Sequence, residues 1–116
     1  MKVRVRFRLR IYKDAVVAMG PGKVDLLEAI AEAGSISGAA RLMNMSYRRA
    51  WMLIETLNGS LEAPAVVTVT GGAKGGGARL TETGEEIIRR YRAIEETANR
   101  AAADDIAALT RLLKEG

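Results

Sequence analysis

The sequence predicts a mainly α domain with a small β component, in the order strand, three helices, β-hairpin, long helix. Three observations carry that expectation. Lys2 to Tyr12 alternates strictly with period two, capped apolar segments at helical spacing fill residues 21 to 57, and no Gly or Pro interrupts residues 85 to 115.

At roughly 150 residues per domain, 116 residues make one domain. Hydrophobic residues are 48% and charged residues 28%, the balance of an ordinary soluble domain rather than a disordered tail. Only five residues are Phe, Trp or Tyr, so the core is modest and aliphatic. No apolar run reaches the ~18 residues of a membrane span, and the start is too charged for a secretory signal; a cytoplasmic location is expected. The absence of Cys and His removes thiolate zinc sites, disulfides and the commonest general base and metal ligand. Neither a metal nor another cofactor is expected. Glu85-Glu86 and Asp104-Asp105 read as solvated helix-start residues, not as a catalytic pair, which argues against an enzyme. A net charge of +4 favours polyanionic partners.

Val3, Val5, Phe7, Leu9 and Ile11 form one side of the first strand, and Lys2, Arg4, Arg6, Arg8 and Arg10 the other. The cationic row has two readings: an edge strand guarded against aggregation, or a phosphate contact. Pro21 suits a first helical position, and Val24, Leu27, Ile30 and Ala31 follow at helical spacing to about residue 33 before Gly34. Ser35 or Ser37 caps a short second helix through Ala39, Ala40, Leu42 and Met43 that stops at Asn44. Ser46 caps a third helix reaching Leu57, where the breaker cluster Asn58-Gly59-Ser60 ends it. Ala65 to Thr70 and Ala78 to Leu80 form a hairpin with a glycine-rich tip. Thr81 or Thr83 caps the last helix of about 30 residues, with an interruption near Asp104 and Asp105.

Helices two and three have the size of a helix-turn-helix, and Asn44 is the best non-glycine residue for a turn needing positive φ. Ala50, Ile54 and Leu57 define the buried stripe of the third helix, extended either by Leu53 or by Tyr47 and Trp51, with Trp51 expected in the core. In both registers Arg48, Arg49, Met52 and Thr56 point outward, as a major groove requires of guanidinium forks near a helix N-terminus. The tip Gly71 to Gly77 fails as a phosphate loop because an extended segment follows it instead of a helix. Carrying Lys74, with Arg79 behind it, it suits a wing on a minor groove or backbone.

Gly34-Ser35-Ile36-Ser37, Ala40, Ser46-Tyr47-Arg48-Arg49-Ala50-Trp51, the Gly71 to Gly77 run and Leu80-Thr81-x-Thr83-Gly84 stand in an order and spacing similar to the N-terminal winged helix-turn-helix domain of ModE, the molybdate-responsive regulators. The resemblance covers about residues 5 to 100; LysR-type regulators share the serine-rich turn and the Leu-Thr-x-x-Gly junction more loosely. It implies a sequence-specific transcriptional regulator. A homodimer would place helix 46–58 of each chain in the major groove of a palindromic operator on double-stranded DNA, with wing 71–77 flanking it. The expected DNA-binding set is Ser35, Ser37, Ser46, Tyr47, Arg48, Arg49, Met52, Thr56, Lys74 and Arg79. The domain is expected at 1–82, with 83–116 a dimerisation helix whose stripe is Tyr91, Ile94, Ala98, Ala102, Ile106, Leu109 and Leu113. ModE proteins usually continue into a molybdate-binding domain, which this sequence, ending at Gly116, is expected to lack; if an oxyanion is sensed, it would be by a separate partner or at an unrecognised site in these residues. The alternative is a winged-helix protein-interaction module without DNA specificity.

Overall fold

The computed structural model describes residues 2–70 and 76–115. Strands β1 (Ile11–Lys13) and β2 (Val16–Met19) open the ordered chain, followed by α1 (Pro21–Ala33), α2 (Ile36–Leu42) and α3 (Tyr47–Ser60). Strands β3 (Val66–Val69) and β4 (Gly77–Leu80) then lead into α4 (Glu82–Ala101) and α5 (Ala103–Thr110). The fold is mainly α with two antiparallel two-stranded pairs, β1 with β2 and β3 with β4.

The single N-terminal strand expected from Lys2 to Tyr12 is not formed. Residues 2–10 lie outside any ladder, and β1 turns back through Asp14-Ala15 into β2, pairing Lys13 with Val16. The reversal uses Asp14 at φ 54, a left-handed conformation that Asp tolerates better than most residues. Helix α3 also overruns its expected end. Asn58, Gly59 and Ser60 sit in its last turns because the Asn58 side chain is held from outside: its Oδ1 accepts from Ala65 N (2.8 Å) and its Nδ2 donates to Val66 O (3.1 Å). The last helix breaks at Ala102 (φ −99, ψ 7), close to the expected interruption.

The helix ends follow local chemistry. Pro21 occupies the first turn of α1, and Gly34 at φ 75 ends it. Ser35, not Ser37, caps α2 by accepting from Gly38 N. After α2, Met45 N donates to Ala40 O and Asn44 N to Arg41 O, the two bonds of a Schellman motif, with Asn44 at φ 54. Ser46 caps α3 by accepting from Arg49 N (3.1 Å), and Thr81, not Thr83, caps α4 by accepting from Gly84 N (3.2 Å).

Val24, Leu26, Leu27 and Ile30 of α1, Ala39 and Ala40 of α2, Ala50, Ile54 and Leu57 of α3, and Ile87 and Tyr91 of α4 share one core with Ala65, Val66 and Ala78 of the β3–β4 hairpin. One backbone bond fastens the hairpin to the end of α1, from Ala78 N to Gly34 O (2.9 Å), and another, from Thr81 N to Ala65 O (2.9 Å), closes the hairpin's own base at the start of α4. On the far side Arg92 of α4 holds Asp25 (2.7 Å) and Glu28 of α1 and Glu95 (2.8 Å) of its own helix. These contacts raise the guanidinium pKa further, chiefly through the Glu28 hydrogen bond. Helix α5 buries no residue, and the radius of gyration of 17.1 Å, with a long extent of 55 Å, exceeds the roughly 13 Å of a compact chain of this length.

Candidate nucleic-acid interface

The outward face of α3 is the most chemically pointed surface of the molecule. Ala50, Ile54 and Leu57 bury one stripe and Leu53 packs at its margin, so the residues between them are forced outward by the 3.6-residue period. Ser46, Arg48, Arg49, Met52, Leu53 and Thr56 together line a shallow open concavity of about 400 Å³. Arg48 and Arg49 are the second and third residues of α3 after the Ser46 cap, and among the described residues neither enters an ion pair. Their guanidinium donors are therefore available beside the amide-rich start of a helix, where the macrodipole also favours an anion. The Thr56 hydroxyl, by contrast, donates to Met52 O (2.9 Å) and is committed to its own helix.

The other expected residues are more scattered. Tyr47 is exposed in the first turn of α3 but does not line the concavity. Ser35 is half-buried with its hydroxyl serving as a cap, and Ser37 is exposed in α2. Arg79 is exposed on β4 opposite Val67, and Lys74 lies outside the described residues. Trp51 corrects the sequence reading. Leu53 fills the margin of the stripe, leaving Trp51 44% exposed and Tyr47 54% exposed, so the aromatic pair belongs to the surface. A strict count from Ala50, Ile54 and Leu57 favours Leu53, since Trp51 sits one residue past Ala50 and a full 100° round the helix.

Residues 22–85 match the family described as "Bacterial regulatory helix-turn-helix protein, lysR family". The chain belongs to that family. As a lysR-family chain it carries its helix-turn-helix in α2 and α3, and the matched region spans α1 through the start of α4. Its similarity to ModE proteins is specific. It is 38% identical over 117 residues to the "Molybdenum transport protein ModE" of Azotobacter vinelandii, covering 91% of this chain and 43% of that protein. It is 49% identical over 77 residues to the "Molybdenum-pterin-binding protein MopB" of Rhodobacter capsulatus, covering 66% and 28%. It is 37% identical over 97 residues to the "DNA-binding transcriptional dual regulator ModE" of Escherichia coli K12, covering 80% and 37%. The chain thus spans less than half the length of these relatives. Among solved structures, the DNA-binding domain of CbnR in complex with DNA shares the fold, with TM-score 0.57 and 24% identity over 76% of this chain and 95% of that one. LysG of Corynebacterium glutamicum shares it as well, with TM-score 0.58 and 22% identity over 80% of this chain and 30% of that one.

No helix among the described residues is long and apolar enough to cross a membrane, and none of their acidic side chains cluster as a metal site would require.

Proposed function

We propose that this lysR-family chain is the DNA-binding part of a ModE-like transcriptional regulator that reads a palindromic operator as a homodimer. The observation that carries the reading is the pair Arg48 and Arg49, ion-pair-free among the described residues, on the exposed face of a capped helix in a helix-turn-helix. Helix α3 enters the major groove, where Arg48 and Arg49 meet guanine edges or phosphates and Met52 offers an apolar contact to thymine methyl groups. Ser46, Tyr47 and Thr56 flank that contact, Ser35 and Ser37 approach the backbone from α2, and the 71–77 wing with Lys74 and Arg79 lies alongside.

The homodimer reading rests on α4 and α5. Tyr91, expected in the dimer stripe, is instead buried in the chain's own core, but beyond it Ile94 is exposed and Arg90, Ala93, Ile94, Thr97, Ala98 and Ala101 line a shallow trough. Leu109 is 67% exposed and Leu113 54%, apolar surface that a second copy would cover. The division is then a DNA-binding unit at 1–82 and a dimerisation element at 83–116, acting in the cytoplasm. Effector sensing is open to a separate protein or to an unrecognised site in this chain, and the names of the relatives make molybdenum-related genes the first targets to examine.

Operator selection with the purified chain, followed by binding measurements on selected and random duplexes, tests the reading. Arg48→Ala and Arg49→Ala should each cost about 1–3 kcal/mol on the selected site and narrow its advantage over random DNA. Absence of duplex binding at low ionic strength refutes it.

A further inference from the structure

We infer that residues 2–10 form a cationic arm that grips the phosphodiester backbone of duplex DNA, as a contact separate from that of α3. The inference rests on the DNA-binding reading above and adds a second element to it. Charge distribution points to it first. Six of the eighteen Lys and Arg residues lie within residues 1–13, which contain no Asp or Glu. The remaining 103 residues carry twelve cations against fourteen acids, a net charge of −2. The whole positive excess of the chain therefore resides at its N-terminus, while the body holding α3 would repel a polyanion at long range.

Local structure then removes the competing explanation. A row of cations protects a sheet edge only where there is an edge, and residues 2–10 belong to no ladder. Lys2, Arg4, Arg6, Arg8 and Arg10 are all exposed, and none forms an ion pair among the described residues. Arg6 and Arg8 do border a groove that includes Asp25 and Glu95, but both of those carboxylates are already held by Arg92. No arginine of the arm lies within ion-pairing distance of a carboxylate among the described residues.

Anchoring and spacing complete the case. The arm is tied down at its base, where Tyr91 Oη donates to Leu9 O (2.7 Å) and Leu9 packs on the core. The chain continues into the β1–β2 hairpin, whose second strand packs against α3, so the base of the arm is joined to that helix through β2. In extended backbone, alternate residues recur about every 6.7 Å, close to two of the 3.4 Å steps at which one DNA strand presents phosphates.

The test uses the full chain and a labelled random-sequence duplex, reading the slope of log affinity against log salt. Replacing all four by Arg4→Gln, Arg6→Gln, Arg8→Gln and Arg10→Gln should lower the slope by about 3.6, so that the parent loses about 150-fold more affinity than the variant between about 50 and 200 mM salt. Lysine at the same four positions should keep the parent slope, and preference for a selected operator over random duplex should survive in both. If the quadruple glutamine variant unfolds, single Arg4→Gln and Arg6→Gln replacements should each lower the slope by about 0.9. An unchanged slope in glutamine variants that remain folded overturns the arm while leaving the α3 reading intact; failure of the parent to bind duplex at all sinks that earlier reading and the arm with it. Loss of binding to phosphatidylserine vesicles with an unaltered duplex slope would also overturn the inference, in favour of a membrane-directed arm.

Discussion

Gly84 stands where α4 passes over the chain leading into β3, and Gly84→Ala probes that crossing. A Cβ built at Gly84 lies 2.3 Å from the Ala65 carbonyl oxygen and 3.2 Å from its carbon, so backbone rather than a flexible side chain must yield. The same oxygen accepts from Thr81 N (2.9 Å), and the Thr81 hydroxyl donates to Pro64 O (2.6 Å) while capping Gly84 N. Displacing the strand by about 1 Å weakens one or two hydrogen bonds at about 1 kcal/mol each and adds about 1–3 kcal/mol of overpacking. The expected loss is about 3 kcal/mol, or on the order of 10 °C in Tm for a chain of this size. Gly59→Ala supplies the opposite sign, because a Cβ there meets nothing within 4 Å and Gly59 lies in α3. It should gain about 0.5–1 kcal/mol. Thermal and urea unfolding followed by circular dichroism read both variants. A Gly84→Ala midpoint equal to that of the parent would refute the claim that this crossing tolerates only glycine.

Other perturbations address the turn, the hairpin clamp and the arm's anchor. Asn44→Ala should cost about 1 kcal/mol in urea unfolding, since Asn44 sits at φ 54 where a side chain without a local hydrogen-bonding group is strained; Asn44→Gly should match or exceed the parent. Asn58→Ala removes the acceptor of Ala65 N and the donor to Val66 O, and should lower stability by about 2 kcal/mol with faster amide exchange at those two residues. Burial, aided by the charge of Glu95, holds the Tyr91 phenol above its ordinary pKa of 10.0. Above pH 10 the unfolded chain therefore gives up a proton that the folded chain retains, and stability falls as pH rises through the raised value. Tyr91→Phe should lose the Leu9 hydrogen bond at neutral pH yet show a shallower alkaline decline, as measured by urea midpoints between pH 9 and 11.

The helical part of the fold was legible because its signals are local. Pro21, Gly34, Asn44 and Ser46 act within a turn of where they stand, and the structure uses each in the manner its chemistry predicts. The outward direction of Arg48, Arg49, Met52 and Thr56 followed from period alone. What was illegible depends on distant partners. Alternation from Lys2 to Tyr12 specifies a chain that could pair, but among the described residues no neighbouring strand meets residues 2–10, and the turn at Asp14-Ala15 lacks the Asn-Gly or Gly pair that marks a hairpin. Helix α3 continues through Asn58 because that amide finds the β3 backbone seven and eight residues later, a tertiary contact that overrides a local breaker. Trp51 was misplaced because size and hydrophobicity favour burial while helical phase excludes it.

Both legs of the β3–β4 hairpin are tied to the helical body: the Asn58 amide grasps one leg, and the Gly34 carbonyl takes the amide of Ala78 on the other, with a tight approach of 3.0 Å beside it for any Cβ at Gly77. The base of the β3–β4 hairpin and α3 are consequently tied directly to one another. On the proposed DNA-binding reading, a double helix offered to this pair would supply much of the compliance itself, so steps that kink or twist cheaply would be favoured even where no side chain touches a base.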